Sequence, residues 1–253
     1  MRLQIASDLH LEISANRQFV AAGAIKPVCD YLLLAGDISN LNRLEDADWF
    51  WDWCSNNFLQ TWIVPGNHEF YGEAGELIDA ETLMLPVRGN VAYCNNARID
   101  VEDATILFST LWSSIETPEQ RAAVEKQVSD YRQILQGGRM LTVDAVNAMH
   151  VEAHNFLRTA LATCDPTKTV VATHYVPVPQ ATPARYIDSP VREAFVADCS
   201  EMVREFRPAY WVHGHSHVSG CVVCGGTRII SNQLGTVRPQ KELNFNPMAV
   251  IEL

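Results

Sequence analysis

"AYWVHGHSH", residues 209–217, decides how the rest of the chain is read. A short apolar run stops abruptly, and His213, His215 and His217 follow at alternate positions in a chain that has only eight histidines. On an extended segment alternate side chains share a face, and imidazole is the commonest protein ligand for a metal. Two readings stand side by side. In one the histidines serve a metal; in the other His213 ends a strand and bonds to backbone, while His215 and His217 sit on a polar turn.

The same pattern recurs along the chain. "LQIAS" precedes Asp8, "YLLLAG" precedes Asp37, "TWIVPG" precedes Asn67 and "TVVAT" precedes His174. Runs this short, rich in β-branched residues and bounded by Gly, read as buried strands. Helical periodicity spans 44–58, 75–85 and 191–206. Strands alternating with helices imply an α/β chain, an open sheet with helices packed on its faces. In such sheets ligands gather outside the carboxyl ends of the strands. A shared carboxyl edge is what would bring these distant metal-competent residues together.

One segment breaks the rhythm. Residues 112–166 carry two long helical stretches, near 118–135 and 143–164, around "QGGRM", and are expected to lie over one end of the sheet as a helical cap insertion. "CVVCGG", "TRIIS" and "MAVIEL" read as further strands. At 253 residues and 47% hydrophobic, the chain fits one domain spanning 1–253 with this insertion.

Composition narrows the partners. The first apolar stretch, "MRLQIAS", meets Asp8 and His10 before it could form the core of a signal peptide, and no later run approaches membrane-spanning length. The expectation is a cytoplasmic protein with no membrane partner. Seven cysteines, odd in number and irregularly spaced, form no secreted framework. Cys221 and Cys224 make a CxxC, but no second pair follows for a structural zinc site. A formal charge of −11 argues against an extended nucleic-acid surface, which needs clustered Lys and Arg. A small phosphorylated molecule stays possible, because bound cations reverse the sign of a local site.

Taken together and in order, "DLH" (Asp8–His10), "GD" (Gly36–Asp37), "GNHE" (Gly66–Glu69), "TH" (Thr173–His174) and "GHSH" (Gly214–His217) resemble the calcineurin-like metallophosphoesterases. The resemblance spans nearly the whole chain. It implies a layered β-sandwich with helices on the outer faces and a metal site at the carboxyl ends of the strands. It also implies that Asp8, His10, Asp37 and His217 hold one divalent ion, and that Asp37, Asn67, His174 and His215 hold a second. Asp37 would then bridge ions about 3.5–4 Å apart, supplying a bridging hydroxide at neutral pH. Carboxylate, imidazole and amide oxygen without thiolate suit Mn, Fe, Zn or Co, with Mn or Fe favoured. His68, beside the ligand Asn67, resembles the histidine that is not a ligand and protonates the leaving group. Glu69 is read either as orienting its neighbours or as a solvated loop acid.

Departures from the family bear on substrate. Protein phosphatases of this superfamily carry GD-x-x-D-R, whose arginine helps bind a phosphomonoester; here Asn40 and Leu41 stand in those places. The segment looks more like the phosphodiesterase branch, so the reading leans toward diesters. The pocket rim would draw on Asn40, Trp112, His150, Tyr175 and Arg185, with Phe70 and Tyr71 as an aromatic shelf or as core. His150 and His154, at i and i+4, lack the HExxH order of a metalloprotease. Trp49 and Trp53 read as the apolar face of a helix. The alternatives are a phosphomonoesterase of the same fold and a non-catalytic interaction module, since this fold also serves as a scaffold.

Overall fold

The computed structural model describes residues 1–72, 74, 77, 81–238 and 243–253. Five strands open the chain: β1 (Arg2–Ala6), β2 (Tyr31–Leu34), β3 (Gln60–Ile63), β4 (Leu83–Arg88) and β5 (Val91–Asn95). They form a sheet in the order β4-β5-β3-β2-β1, closed at its far edge by β14 (Val250–Glu252). A second sheet follows from β6 (Ala97–Val101), β7 (Ala104–Ser109), β10 (Thr169–Thr173), β11 (Tyr210–Val212), β12 (Gly220–Cys224) and β13 (Thr227–Ser231), ordered β12-β13-β11-β10-β7-β6. The central four strands of each sheet are parallel, and the strand at each edge is antiparallel. The result is an α/β sandwich with two mixed sheets, as the family resemblance implied, in place of the open sheet that strand–helix alternation alone implied.

Period-two alternation explains why two sheets form. Along β2, Leu33 faces the core between the sheets, while Leu32 and Leu34 face the outer core. Likewise Trp62, Ile106, Phe108, Val170, Ala172, Tyr210 and Val212 point inward, and Ile63, Leu107, Val171 and Trp211 point outward. Strands buried on both faces read as continuous apolar runs, and each such side chain contributes about 1.5–3 kcal/mol on burial.

Helices cover the outer faces: α1 (Ser14–Ala21), α2 (Asp48–Asn57), α3 (Pro118–Gln127), α4 (Asp130–Gln133), α5 (Val143–Leu161) and α6 (Ser200–Phe206). The expected helix at 44–58 forms as α2 behind a 3-10 turn, Leu41–Ala47, with Phe50 and Trp51 buried and Trp49 and Trp53 packed against the core. Of the expected helix at 75–85, residues 75, 76 and 78–80 lie outside the described residues. Its end is strand, not helix, because Leu83, Met84 and Leu85 pair with β5, and Pro86 is tolerated on this edge beside a bulge. The helix expected over 191–206 shrinks to Ser200–Phe206. Val196 is drawn into a bridge with Val176, and Asp198, at φ 34, turns the chain and accepts from Ser200 N.

Residues 112–166 divide into pieces. Helix α3 begins in a Thr117–Gln120 capping box and ends at extended Val128. The "QGGRM" stretch is a hairpin of β8 (Leu135–Gln136) and β9 (Arg139–Met140), so Leu135 is strand where helix was expected. Helix α5 packs along β7 with Val146, Ala153, Leu157 and Leu161 buried. The short α4 reaches the carboxyl edge of the first sheet through Asp130.

Candidate metal centre

All five motif loops leave the carboxyl ends of parallel strands on one side of the sandwich. Asp8 and His10 follow β1, Asp37 follows β2, Asn67 and His68 follow β3, His174 follows β10, and His215 and His217 follow β11. After β1, β2 and β11 the backbone turns through the left-handed region. Asp8, His10, Asp37, His215 and His217 all adopt positive φ, between 46° and 70°. Asp and His tolerate the left-handed region better than most residues, and such strain concentrates at functional sites.

Two glycines make the convergence possible. A Cβ on Gly36 would overlap the His174 ring, and one on Gly66 would overlap Asp37 Oδ1 and lie 2.7 Å from Asp37 N. These loops touch backbone to side chain, so only hydrogen fits there.

The side chains form two buried groups that share Asp37: Asp8, His10, Asp37 and His217, and Asp37, His174 and His215. Asn67 Oδ1 joins the second group, 3.2 Å from His174 Nε2. In that group His174 Nδ1 donates to Ala35 O at 2.9 Å and His215 Nε2 donates to Ala194 O at 3.1 Å. For neutral rings the opposite nitrogens, His174 Nε2 and His215 Nδ1, then carry lone pairs and face each other across 3.1 Å. Asp37 Oδ1 lies 3.4 Å from the same His174 nitrogen. Asn67 spends its amide hydrogen on Asp130 Oδ1 at 2.8 Å, which turns its oxygen inward.

The first group repeats the arrangement. His10 Nδ1 donates to Glu12 Oε1 at 2.8 Å, so His10 Nε2 presents a lone pair to His217 Nε2 at 2.9 Å. Asp37 Oδ2 lies 3.6 Å from His10 Nε2, and Asp8 Oδ1 lies 3.4 Å from His217 Nε2. With the rings neutral, imidazole lone pairs and carboxylate oxygens converge, Asp37 Oδ1 and Asp8 Oδ1 also accepting from His68 N and His215 N, and buried lone pairs that face one another are costly. A cation placed between them offsets that cost, and the outward hydrogen bonds of His10, His174 and His215 fix their tautomers as ligand histidines require.

Electrostatics split each facing pair: against burial, the Asp37 carboxylate lifts His174 to about 9, and Glu12 and Asp37 raise His10. Burial, with the charge of His10 next, pushes His217 down to about 3. Burial and then His174 hold His215 well below its ordinary value. One ring of each facing pair is thereby kept neutral and ready to bind a cation. Burial opposes protonation of His68, but the Asp37 and Glu12 carboxylates outweigh it and lift it to about 9. Cations in the adjoining groups would offset those carboxylates and bring His68 back toward neutrality.

His68 stands at the mouth, 31% exposed, with its ring stacked on Tyr71 at 4.3 Å and its backbone N–H on Asp37 Oδ1 at 3.0 Å. Among the described residues its Nε2 has no protein partner. Glu69 is not a solvated acid: it is wholly buried and accepts backbone N–H bonds from Asp37, Ile38, Ser39 and Gly66 at 2.7–3.2 Å.

The expected rim residues separate. Trp112 and Tyr175 are 3% and 2% exposed and pack together at 5.5 Å, with Tyr175 against His215 at 4.3 Å, so they support the site from below. Phe70 is core. Asn40 ties its amide to Tyr71 O and caps the 3-10 turn through Asn42 N. His150 donates to Leu111 O and lines a separate cavity of about 400 Å³ with Ser114, Arg192 and Asp198. Arg185 donates to Ser216 O at 2.6 Å, gripping the loop that carries His215 and His217. His213 bonds to backbone at Gly214 O, as the second reading held, whereas His215 and His217 join the centre as the first held. Exposed Cys221 and buried Cys224 belong to none of the candidate metal groups among the described residues.

Three participants escaped the sequence reading. Glu12 had a signal, its place two residues beyond His10. Asp130 had none, lying on a distant helix. Gln233, which accepts from His217 N at 2.6 Å and donates to Ser216 Oγ, is brought in by a bridge between Ser7 and itself.

A buried, twice-repeated ring of inward acceptors on this sandwich defines a metal-dependent phosphoesterase. Residues 1–219 match the family of calcineurin-like phosphoesterases, and the chain belongs to it. It is 27% identical to the uncharacterized protein L509 of Acanthamoeba polyphaga mimivirus, over 99% of this chain and 96% of that one. Among solved structures, phosphopantetheinyl hydrolase from Mycobacterium tuberculosis shares the fold at a TM-score of 0.65, 20% identity and 92% and 89% coverage. A dimetal phosphatase from Danio rerio does so at 0.51, 13% identity and 92% and 87% coverage. No helix among the described residues is long and apolar enough to cross a membrane.

Proposed function

We propose that the protein hydrolyses phosphodiesters of small molecules with two divalent ions, Mn or Fe in first place. Asp8, His10, Asp37 and His217 would hold one ion and Asp37, Asn67, His174 and His215 the other. The observation that carries this is the pair of converging imidazole–carboxylate clusters that share Asp37. When bound, the ions supply Lewis acidity to the phosphoryl group and water acidic enough to attack near neutral pH.

The chain's own residues do the rest. Asp37, held by the backbone clamp of Glu69, keeps the two clusters in register. His68 presents Nε2 at the mouth and donates its proton to the leaving oxygen as the P–O bond breaks. Residues 112–166 act as a cap insertion within one domain, its α4 turn holding Asn67 in place and its neighbours limiting the size of the substrate.

Charge supports the diester. Glu12, 36% exposed, lies 3.2 Å from the acid and disfavours a dianionic monoester. Arg185 is committed to Ser216 O, and Asn40 replaces the acidic residue of the protein-phosphatase pattern. The Mycobacterium tuberculosis protein of the same fold is named for hydrolysing a phosphopantetheinyl group. We place the activity in the cytoplasm, in keeping with seven cysteines that form no disulfide.

The test is metal analysis of protein purified without added metal, then hydrolysis of matched aryl phosphodiesters and monoesters with each ion restored. His68→Ala keeps both ions and loses roughly 10²–10⁴ in turnover on esters with poor leaving groups. Equal losses on activated and poor leaving groups would exclude the acid role.

A further inference from the structure

Glu12 lies outside both candidate ligand sets, yet it touches the principal residues of each function. Its Oε1 is 2.8 Å from His10 Nδ1 and 3.2 Å from His68 Nδ1. An ionised carboxylate only accepts hydrogen bonds, so both imidazoles donate to one oxygen. His10 is thereby fixed with Nε2 toward His217, and His68 with Nε2 toward the open mouth.

The other contacts of His68 complete a clamp. Tyr71 stacks on one face at 4.3 Å and 27°, and the His10 ring meets it edge-on at 4.5 Å and 75°. Stacking restrains the tilt of a ring but does not distinguish the two orientations related by a half-turn about Cβ–Cγ. A hydrogen bond to one named nitrogen makes that distinction, and Glu12 provides it. We propose that Glu12 is a positioning residue that locks the tautomer and rotamer of His68 and ties them to His10, joining the acid to the first cluster.

The same three atoms lie close enough together to hold an ion of their own. That alternative needs His10 to lose both ring protons, because its Nε2 already faces His217 and Asp37. A shared acceptor requires no such step.

The inference rests on the phosphoesterase reading for its effect on turnover, and its structural half is measured without turnover. Zn²⁺-loaded, ¹⁵N-histidine-labelled protein is compared with Glu12→Ala and Glu12→Gln by imidazole ¹⁵N spectra and by kcat on aryl phosphodiesters at saturating metal. Above its pKa, where the ring is neutral, the parent His68 is a single Nδ1–H tautomer; the acid form carries a second proton on Nε2. In Glu12→Ala its spectrum moves to a mixture, and kcat with a poor leaving group falls roughly 10–100-fold, the usual cost of losing an outer hydrogen-bond partner. The activated ester changes little. Glu12→Gln, whose amide oxygen still accepts, recovers most of the loss. A His68 tautomer unchanged in Glu12→Ala overturns the proposal, as do equal losses on both esters at unchanged metal content. A parent protein inert toward every ester refutes the phosphoesterase reading alone, since the tautomer still decides whether Glu12 holds His68.

Discussion

Glu69→Gln should damage this protein almost as much as Glu69→Ala, although it changes one atom. Oε1 accepts from Ile38 N and Ser39 N at 2.7 and 3.2 Å, and Oε2 accepts from Asp37 N and Gly66 N at 2.9 and 2.8 Å. Either orientation of an amide therefore turns an NH₂ toward two N–H donors. Burial pushes the Glu69 carboxyl above its ordinary value, with Asp37 adding to the shift, while the N–H groups of Ile38 and Gly66 draw it down. Four donors occupy both oxygens and leave little room for a proton. A buried donor left unmatched costs about 1–3 kcal/mol. Two of them, or four in the alanine variant with water entering, give a loss of roughly 3–5 kcal/mol for either substitution, at the upper end of single-residue effects. In a chain of this size each kcal/mol moves Tm by about 2–4 °C. Thermal unfolding followed by circular dichroism, with and without Mn²⁺, reads the shift. Ion affinity must fall as well, because the released loop carries Asp37 at φ 56. A Glu69→Gln protein that melts within about 2 °C of the parent would show that the four-donor clamp contributes nothing.

Three further outcomes follow from the same geometry. Stripping divalent ions with a chelator lowers the melting temperature, and restoring Mn²⁺ at 100 times its Kd returns about 2.7 kcal/mol by mass action; calorimetry that finds no binding heat contradicts the centre. Asp130→Asn removes the carboxylate that turns Asn67 Oδ1 inward, so Mn²⁺ affinity by titration calorimetry drops roughly 10–100-fold while the fold persists. Burial holds His150 below its ordinary 6.5, against the opposing bonds to Leu111 and Trp112 backbone. The unfolded chain thus takes the proton first, and stability falls as pH drops below 6.5 toward the folded value. Denaturant unfolding of His150→Gln should show less acid sensitivity than the parent across that window, and identical pH profiles would refute the assignment.

What the sequence revealed was whatever is local. Asp8, Asp37, Asn67, His174 and His215 each follow directly on an apolar run, so each could be placed at a strand end from its own few neighbours. The two-sheet arrangement was not legible in that way, because Leu33 and Leu34 look equally apolar whichever core they enter. Leu83–Leu85 became strand through pairing with β5, a non-local partner that outweighs a weak helical period. Trp112 and Tyr175 do lie on loops near the metal edge, but burial is a property of what packs over a loop, and helical periodicity cannot report it. Asp130 illustrates the limit: 63 positions from Asn67 in sequence, it has nothing beside it to mark it as that amide's partner.

The candidate ligands are divided between the two sheets. The first sheet brings Asp8, His10, Asp37 and Asn67, and the second brings His174, His215 and His217. Each cluster therefore straddles the seam, and neither half of the chain can assemble one alone. A complete ligand set requires the two sheets to be docked. Bound ions would act as rivets across that seam, opposing separation of the two sheets at the reactive edge.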